Sequence, residues 1–235
     1  MKTLHLKSLE SGAGKTAIAL ALMGAIKQRG YDIWYYKPIS ITNEIYIERN
    51  YTVPLYIKVI ADYMGFRAYN TLCSLLFVPL SANLNKDVIN DSDNYKVYIE
   101  GKFDTIINGT QVSEYIYIHR NIITNRYNRF KRVERLIMED IGDYRYLGYL
   151  LEQVEMIEEN LQEIYIVRPM DLDNKILDGK DCIITKSYES LVLPLDMNIL
   201  GNIPYKTSME NLFERQTIEN WIMYVSKYVD MAGFI

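Results

Sequence analysis

Apolar residues along this chain recur first at strand spacing and then at helix spacing, and the alternation sets the expected architecture. Residues 3–7 read as a first strand. The run Ala17-Ile18-Ala19-Leu20-Ala21-Leu22-Met23-Gly24-Ala25-Ile26 is apolar nearly all round, which predicts a helix buried against a sheet, with Gly30 as its stop. Residues 31–36 predict a second strand that ends in Lys37-Pro38-Ile39-Ser40. Strand, helix and strand joined so tightly form a βαβ unit, so the two strands should be parallel and ligands should bind at their C-terminal ends. Lys37 is expected at that end.

Residues 52–65 predict a helix with Pro54 in its first turn, apolar positions 55, 56, 59, 60 and 63, and Gly65 as its stop. The character then changes. Strands are expected at 75–79, 96–100, 103–107 and 112–118, with Asn108-Gly109 as a hairpin turn. They predict a small antiparallel β-meander over residues 70–119, inserted in a single α/β domain spanning 1–235. Such an insertion could serve as a lid, a substrate-selecting wall or a dimer surface. A strand at 136–140, a long helix with Leu147, Leu150, Leu151, Val154, Ile157 and Leu161 on one face, and a strand at 164–167 restore the βαβ pattern. Strands at 181–186 and 197–201 continue it. Thr207-Ser208-Met209-Glu210 is a capping box before a C-terminal helical region whose stripe of Ile218, Trp221, Ile222, Val225 and Val229 reads as core or dimer packing.

Composition narrows the function classes. With 26 basic and 30 acidic residues, net charge gives no reason to expect nucleic acid or a membrane surface as partner. Arg120, Arg126, Arg129, Lys131, Arg132 and Arg135, interleaved with Tyr127 and Phe130, are accordingly read as a solvated helix face. Cys73 and Cys182 lie far apart in apolar surroundings and read as buried inert thiols. His5 and His119 are the only histidines, so histidine-based nucleophilic catalysis or a His-rich metal site is poorly supplied. No charged-then-apolar leader and no run of about 20 apolar residues is present, so a cytoplasmic location is expected.

The chemistry concentrates between the first strand and the buried helix, at Ser8-Leu9-Glu10-Ser11-Gly12-Ala13-Gly14-Lys15-Thr16. Small residues at 11–14 let successive backbone N–H groups turn inward around phosphate oxygens. Lys15 would reach the β- and γ-phosphates, and Thr16 would place its hydroxyl on Mg²⁺. The helix N-terminus adds positive potential. The full motif has glycine where this chain has Leu9.

Taken with Tyr36-Lys37-Pro38-Ile39-Ser40, the segment Glu10 to Thr16 resembles dethiobiotin synthetase. Closer still is the dethiobiotin-synthetase-like N-terminal domain attached to some phosphotransacetylases. The resemblance implies a mostly parallel α/β P-loop NTPase fold, here with an antiparallel β insertion, and Mg-ATP bound by Glu10, Ser11, Gly12, Ala13, Gly14, Lys15 and Thr16. It puts Lys15 and Lys37 on the phosphates, with Lys37 over the γ-phosphate and a substrate carbamate. Sister ATPases carry a lysine where Glu10 stands. Thr185-Lys186 falls where the family has Asn-Lys or Asn-Arg against adenine, and Leu200-Gly201-Asn202-Ile203-Pro204-Tyr205 matches its Leu-Gly-x-Ile-Pro segment, adding Thr185, Lys186 and Pro204 to the nucleotide site.

For the acidic residue that serves Mg²⁺ or the substrate, Tyr98-Ile99-Glu100-Gly101 fits the family's wording, whereas Glu139, with Asp140 beside it, has the βαβ spacing; Glu139 is preferred. The family's Glu-Gly-Ala-Gly-Gly reads Glu139-Asp140-Ile141-Gly142-Asp143 here. The implied function is an ATP-dependent ligase that activates a small carboxylate or carbamate for an amine, with Lys15, Lys37 and Glu139 as catalytic residues. The alternative is a nucleotide-sensing module, non-catalytic or slow in ATP hydrolysis, that dimerises or binds a protein partner. A homodimer is the expected assembly.

Overall fold

A computed structural model of the chain describes residues 2–9, 12–48, 51–66, 72–79, 97–102, 106–107, 110–111, 115–120, 135–139, 160–188, 190–205 and 214–234. In chain order the elements are β1 (Lys2–Lys7), α1 (Lys15–Gln28), β2 (Ile33–Ile41), β3 (Ile45–Glu48), β4 (Tyr51–Pro54), α2 (Leu55–Met64), β5 (Cys73–Pro79) and β6 (Val97–Lys102). They continue with β7 (Ile106–Ile107), β8 (Thr110–Gln111), β9 (Tyr115–Arg120), β10 (Arg135–Glu139), β11 (Leu161–Val167), β12 (Asp181–Ser187), β13 (Asn198–Pro204) and α3 (Arg215–Val225). The chain forms two compact units, one of Met1–Tyr35, Val133–Asp140 and Glu158–Ile235, the other of Tyr36–Arg132 and Ile141–Ile157.

The first unit is α/β, as expected. Its strands lie in the order β13-β12-β11-β1-β10, and every neighbouring pair is parallel. All five therefore end at one edge. β10 lies between β1 and the start of β2, where the Arg135 N–H donates to the Asp32 carbonyl at 3.3 Å. The chain thus leaves β1 toward one side and later fills the other, which makes the C-terminal end of β1 the crevice where open α/β sheets take ligands.

Helix α1 is buried from Ile18 through Ile26, as its all-round apolar pattern predicts. Gly30 ends it at φ 85°, with its N–H on Lys27 O (2.9 Å) and the Tyr31 N–H on Ile26 O (3.4 Å), a Schellman closure. The expected stripe of α3 is buried at Ile218, Trp221, Ile222 and Val225, and Val229 follows it into the core. Gly24 is the point of close approach: a Cβ there would come within 2.7 Å of Ile222 Cγ1 and nearer still to its Cδ1. Beyond α3, Val229 bridges Gly201, and the Asp230 N–H donates to Leu200 O at 2.7 Å, which covers part of the outer edge of β13.

The alternation of strands and helices weakens after β11. Two 3₁₀ turns, Pro169–Asp171 and Lys175–Leu177, connect β11 to β12, and no helix forms among the described residues between β12 and β13. Val167, Leu172, Leu177, Cys182, Ile184 and Met197 pack there as a separate apolar cluster. Cys182 is fully enclosed, and burial pushes its thiol up to about 11, in keeping with an inert cysteine. The expected amphipathic helix lies outside the described residues up to its last apolar position, Leu161, which instead opens strand β11 and is exposed, because it pairs with Thr3 of β1. Most of the basic stretch before Arg135 and the capping box at 207–210 also lie outside the described residues.

The second unit departs from expectation in three places. Strand β2 does not stop at Tyr36 but runs to Ile41, with Lys37 opposite Cys73 and Ile39 opposite Leu75 on parallel β5. Lys37 therefore stands within the strand and not at its end. Helix α2 starts at Leu55 because β-branched Thr52 and Val53 pair with Ile47 and Tyr46 in an antiparallel hairpin, leaving Pro54 as the N-cap. Its buried face is Ile57, Ile60, Ala61 and Met64, turned from the predicted one. Finally, the inserted strands are antiparallel but not a meander, since the order is β2-β5-β9-β6. Only Ile106–Ile107 and Thr110–Gln111 pair with each other, in the connection between β6 and β9; the expected partner strand over 112–118 is instead β9 (Tyr115–Arg120), which pairs with β5 and β6, and Asn108-Gly109 lies outside the described residues. Return of the chain through that connection brings β9, rather than β6, against β5.

The substitution Gly24→Ala adds a methyl group against the fully buried Ile222. Overpacking of about 1–3 kcal/mol outweighs about 1 kcal/mol of helix propensity, so a net loss of about 1 kcal/mol is expected in urea denaturation. Ile222→Val in the same chain should recover part of it. A Gly24→Ala protein more stable than the parent would show that α1 and α3 do not meet at this point.

Candidate functional site

The loop between β1 and α1 opens at the shared C-terminal edge of the first unit's parallel strands. Gly12 (φ 79°) and Gly14 (φ 97°) are both left-handed, a conformation that residues with a Cβ rarely adopt. Gly14 is the N-cap of α1, and its carbonyl accepts the Ile18 N–H at 3.0 Å. Lys15 opens the helix and is only 8% exposed, so an ammonium is kept inside the loop rather than in solvent. Its Nζ donates to Ser8 Oγ at 2.5 Å, so the head group is folded back onto the start of the loop. Thr16 follows in the first turn, half-buried. Glu10 and Ser11 lie outside the described residues.

Three contacts hold this loop from the protein side. Leu9, at the position where the motif has glycine, packs against the apolar cluster of Val167, Leu172, Leu177, Cys182, Ile184 and Met197. The Thr185 hydroxyl donates to Ala13 O at 2.8 Å and lies 3.2 Å from Val167 O. Lys186 Nζ reaches Gly12 O at 3.4 Å. Thr185 is 6% exposed, so its hydroxyl serves the loop backbone. On the far side of α1's first turn, the Trp221 indole N–H donates to Ala17 O at 2.8 Å.

The remaining sequence candidates distribute as follows. Glu139 is the last residue of β10, in register with Leu6 two positions before Ser8, at the same edge as the loop. Asp140 lies outside the described residues. Glu100 is on β6, in the second unit, whose partner β9 is antiparallel, so it belongs to no parallel strand end. Pro204 closes β13, and its carbonyl accepts the Tyr224 hydroxyl at 3.3 Å. Lys37 belongs to the second unit; it is 8% exposed, with Nζ 5.1 Å from the centroid of the Tyr56 ring, and the Tyr56 hydroxyl donates to Ser40 Oγ at 2.6 Å. A cation over an aromatic face keeps its charge at lower desolvation cost.

Two contacts at the site are not legible in the sequence, that of Ser8 with Lys15 and that of Trp221 with Ala17. Ser8 opens the candidate loop in the sequence but carries no role there, although a polar residue directly after a strand that feeds such a loop is within reach of the lysine that closes it. Trp221 was read as part of an apolar stripe, but a buried indole N–H needs an acceptor. Beside the loop, Lys7 pairs with Glu163 of β11, and that hydrogen-bonded ammonium holds the Glu163 carboxyl below its ordinary value. Among the described residues no group of three or more His, Cys, Asp and Glu side chains forms a metal cluster, and no helix is long and apolar enough to cross a membrane.

No family model matches the chain, and no curated protein matches it.

Leu9 replaces the conformational freedom of glycine with an apolar anchor. Leu9→Ala should lower unfolding stability by about 1–2 kcal/mol, from the loss of partly buried apolar surface. Leu9→Gly should cost more, because the loop also gains backbone entropy when unfolded. If neither variant shifts the denaturation midpoint, the contact with the cluster does not hold the loop.

Proposed function

We propose that the chain is a Mg-ATP-binding protein of P-loop NTPase fold, acting as an ATP-dependent ligase of the dethiobiotin synthetase type. One observation carries the reading. The loop that leaves the central parallel strand β1 turns through left-handed Gly12 and Gly14 into a buried helix and keeps the Lys15 ammonium within it. That is the arrangement a polyphosphate needs: consecutive N–H donors, the positive end of α1 and a lysine. The Thr16 hydroxyl and a carboxylate at the end of β10, Glu139, fit Mg²⁺, which takes one or two protein oxygens beside phosphate oxygens and retained waters. Bound there, the ion would draw off charge from the phosphate oxygens.

In the ligase reading a substrate carboxylate or carbamate oxygen attacks the γ-phosphorus and the bond from that phosphorus to the bridging oxygen breaks, releasing ADP. An amine then displaces phosphate from the mixed anhydride. Lys15 holds the β- and γ-phosphates through the transfer, and the resemblance gives Lys37 the developing charge on the γ-phosphoryl group. The second reading, a nucleotide sensor with little or no turnover, is favoured by the position of Lys37 within β2, over Tyr56, instead of at a strand end.

Titration calorimetry of the whole chain with ATP and Mg²⁺ tests the common part. Lys15→Ala should weaken binding about 10–100-fold, the equivalent of a charge-assisted hydrogen bond of about 1.5–3 kcal/mol. Undiminished affinity in that variant would remove the loop from the nucleotide site. Phosphate release separates the two readings: Lys37→Ala should abolish it in a ligase while sparing ATP affinity, whereas a sensor should release phosphate at the same low rate with or without Lys37.

A further inference from the structure

Two neighbouring residues of one strand end hold two neighbouring carbonyls of the candidate loop. Thr185 donates to the carbonyl of Ala13 and Lys186 to that of Gly12. In a trans peptide the C=O of one residue and the N–H of the next point in opposite directions, and the described residues contain no cis peptide. With both carbonyls drawn toward β12, the N–H groups of Ala13 and Gly14 are turned to the opposite side. Two consecutive N–H groups facing one way, with Gly12 and Gly14 left-handed, make an anion nest.

The strand end is itself unusual. Lys186 has φ 55°, one of only two non-glycine residues with positive φ among those described. The β12–β13 register shifts between Ile184 and Ser187, so the irregularity falls on Thr185 and Lys186. Bulges of this kind re-aim side chains beside active sites, and a left-handed lysine stores strain that needs a reason. An exposed lysine gains nothing from left-handed backbone by itself. What the conformation does gain is simultaneous reach of both side chains to the loop.

We infer that Thr185 and Lys186 are positioning residues that pre-set the peptide planes of Gly12–Ala13 and Ala13–Gly14, so that the anion nest exists before any phosphate arrives. This rests on the phosphate-binding reading of the loop. It differs from a direct contact with the nucleotide base, because the gain from the two residues would then be shared by every ligand that carries the polyphosphate and would not depend on the base.

The test compares binding of Mg-ATP and of inorganic tripolyphosphate with Mg²⁺, by calorimetry, alongside thermal unfolding. The proteins are the full chain, Thr185→Val, Thr185→Ser and Lys186→Gly. Thr185→Val should weaken both ligands equally, by about tenfold, the loss of one hydrogen bond of about 1.5 kcal/mol, and Thr185→Ser should restore both. Lys186→Gly removes the ammonium and the strained backbone together. Its affinity for both ligands should fall while its melting temperature rises by about 2–4 °C, an opposition that a merely structural residue would not produce. If ATP weakens and tripolyphosphate does not, the residues touch the base and the inference is overturned. Unchanged affinity for both ligands in Thr185→Val and Lys186→Gly overturns it while leaving the loop reading intact. If the parent chain binds neither ligand, the loop reading itself fails and takes this inference with it.

Discussion

Helix α1 has no polar face to give to water, and the first unit is arranged around that constraint. A helix buried from Ile18 to Ile26 has to be enclosed on all sides, so it needs the sheet on one side and α3 on another. Gly24 permits α3 to approach until Ile222 occupies the space a Cβ would take. Because the body of the helix is fixed, so is its first turn, and Lys15 begins from a defined position at the end of β1. The Trp221 bond to Ala17 O ties that turn to α3 directly. The position of the loop therefore depends on apolar packing farther along the helix.

The loop is then restrained from behind by unlike means. An apolar side chain, Leu9, fixes its start against a cluster built by β11, β12 and the two 3₁₀ turns, while a hydroxyl and an ammonium fix the carbonyls of residues 13 and 12. The same strand end supplies both polar contacts, and the same cluster contains Ile184, immediately before them. A shift of β12 along its axis would release all three restraints at once.

Some of this was legible in the chain. Alternation of apolar runs, Gly30, Gly65 and the small residues at 12–14 report local requirements: burial on one or all sides, or a positive φ, each with a residue type that satisfies it. The position of Lys37 was not legible, because the end of a strand is set by what pairs with it, and β5 extends β2 past the proline. The start of α2 failed likewise, since Thr52 and Val53 found strand partners in β3. The insertion was read as a meander because sequence neighbours usually pair, but β9 lies between β5 and β6.

By itself the sequence determined the elements whose stability is local and the one loop whose backbone demands glycine next to a lysine. Those features depend on residues within a few positions of each other, so they survive without knowledge of the fold. Only the tertiary structure decided that Leu9 substitutes for a glycine by packing on a distant cluster, that Ser8 receives Lys15, and that Thr185 and Lys186 hold the loop's carbonyls across more than 170 positions of chain. Such contacts are set by which strands become neighbours, a choice made by the pairing of β11 and β12 beside β1 and by burial of the whole, and no local pattern encodes it.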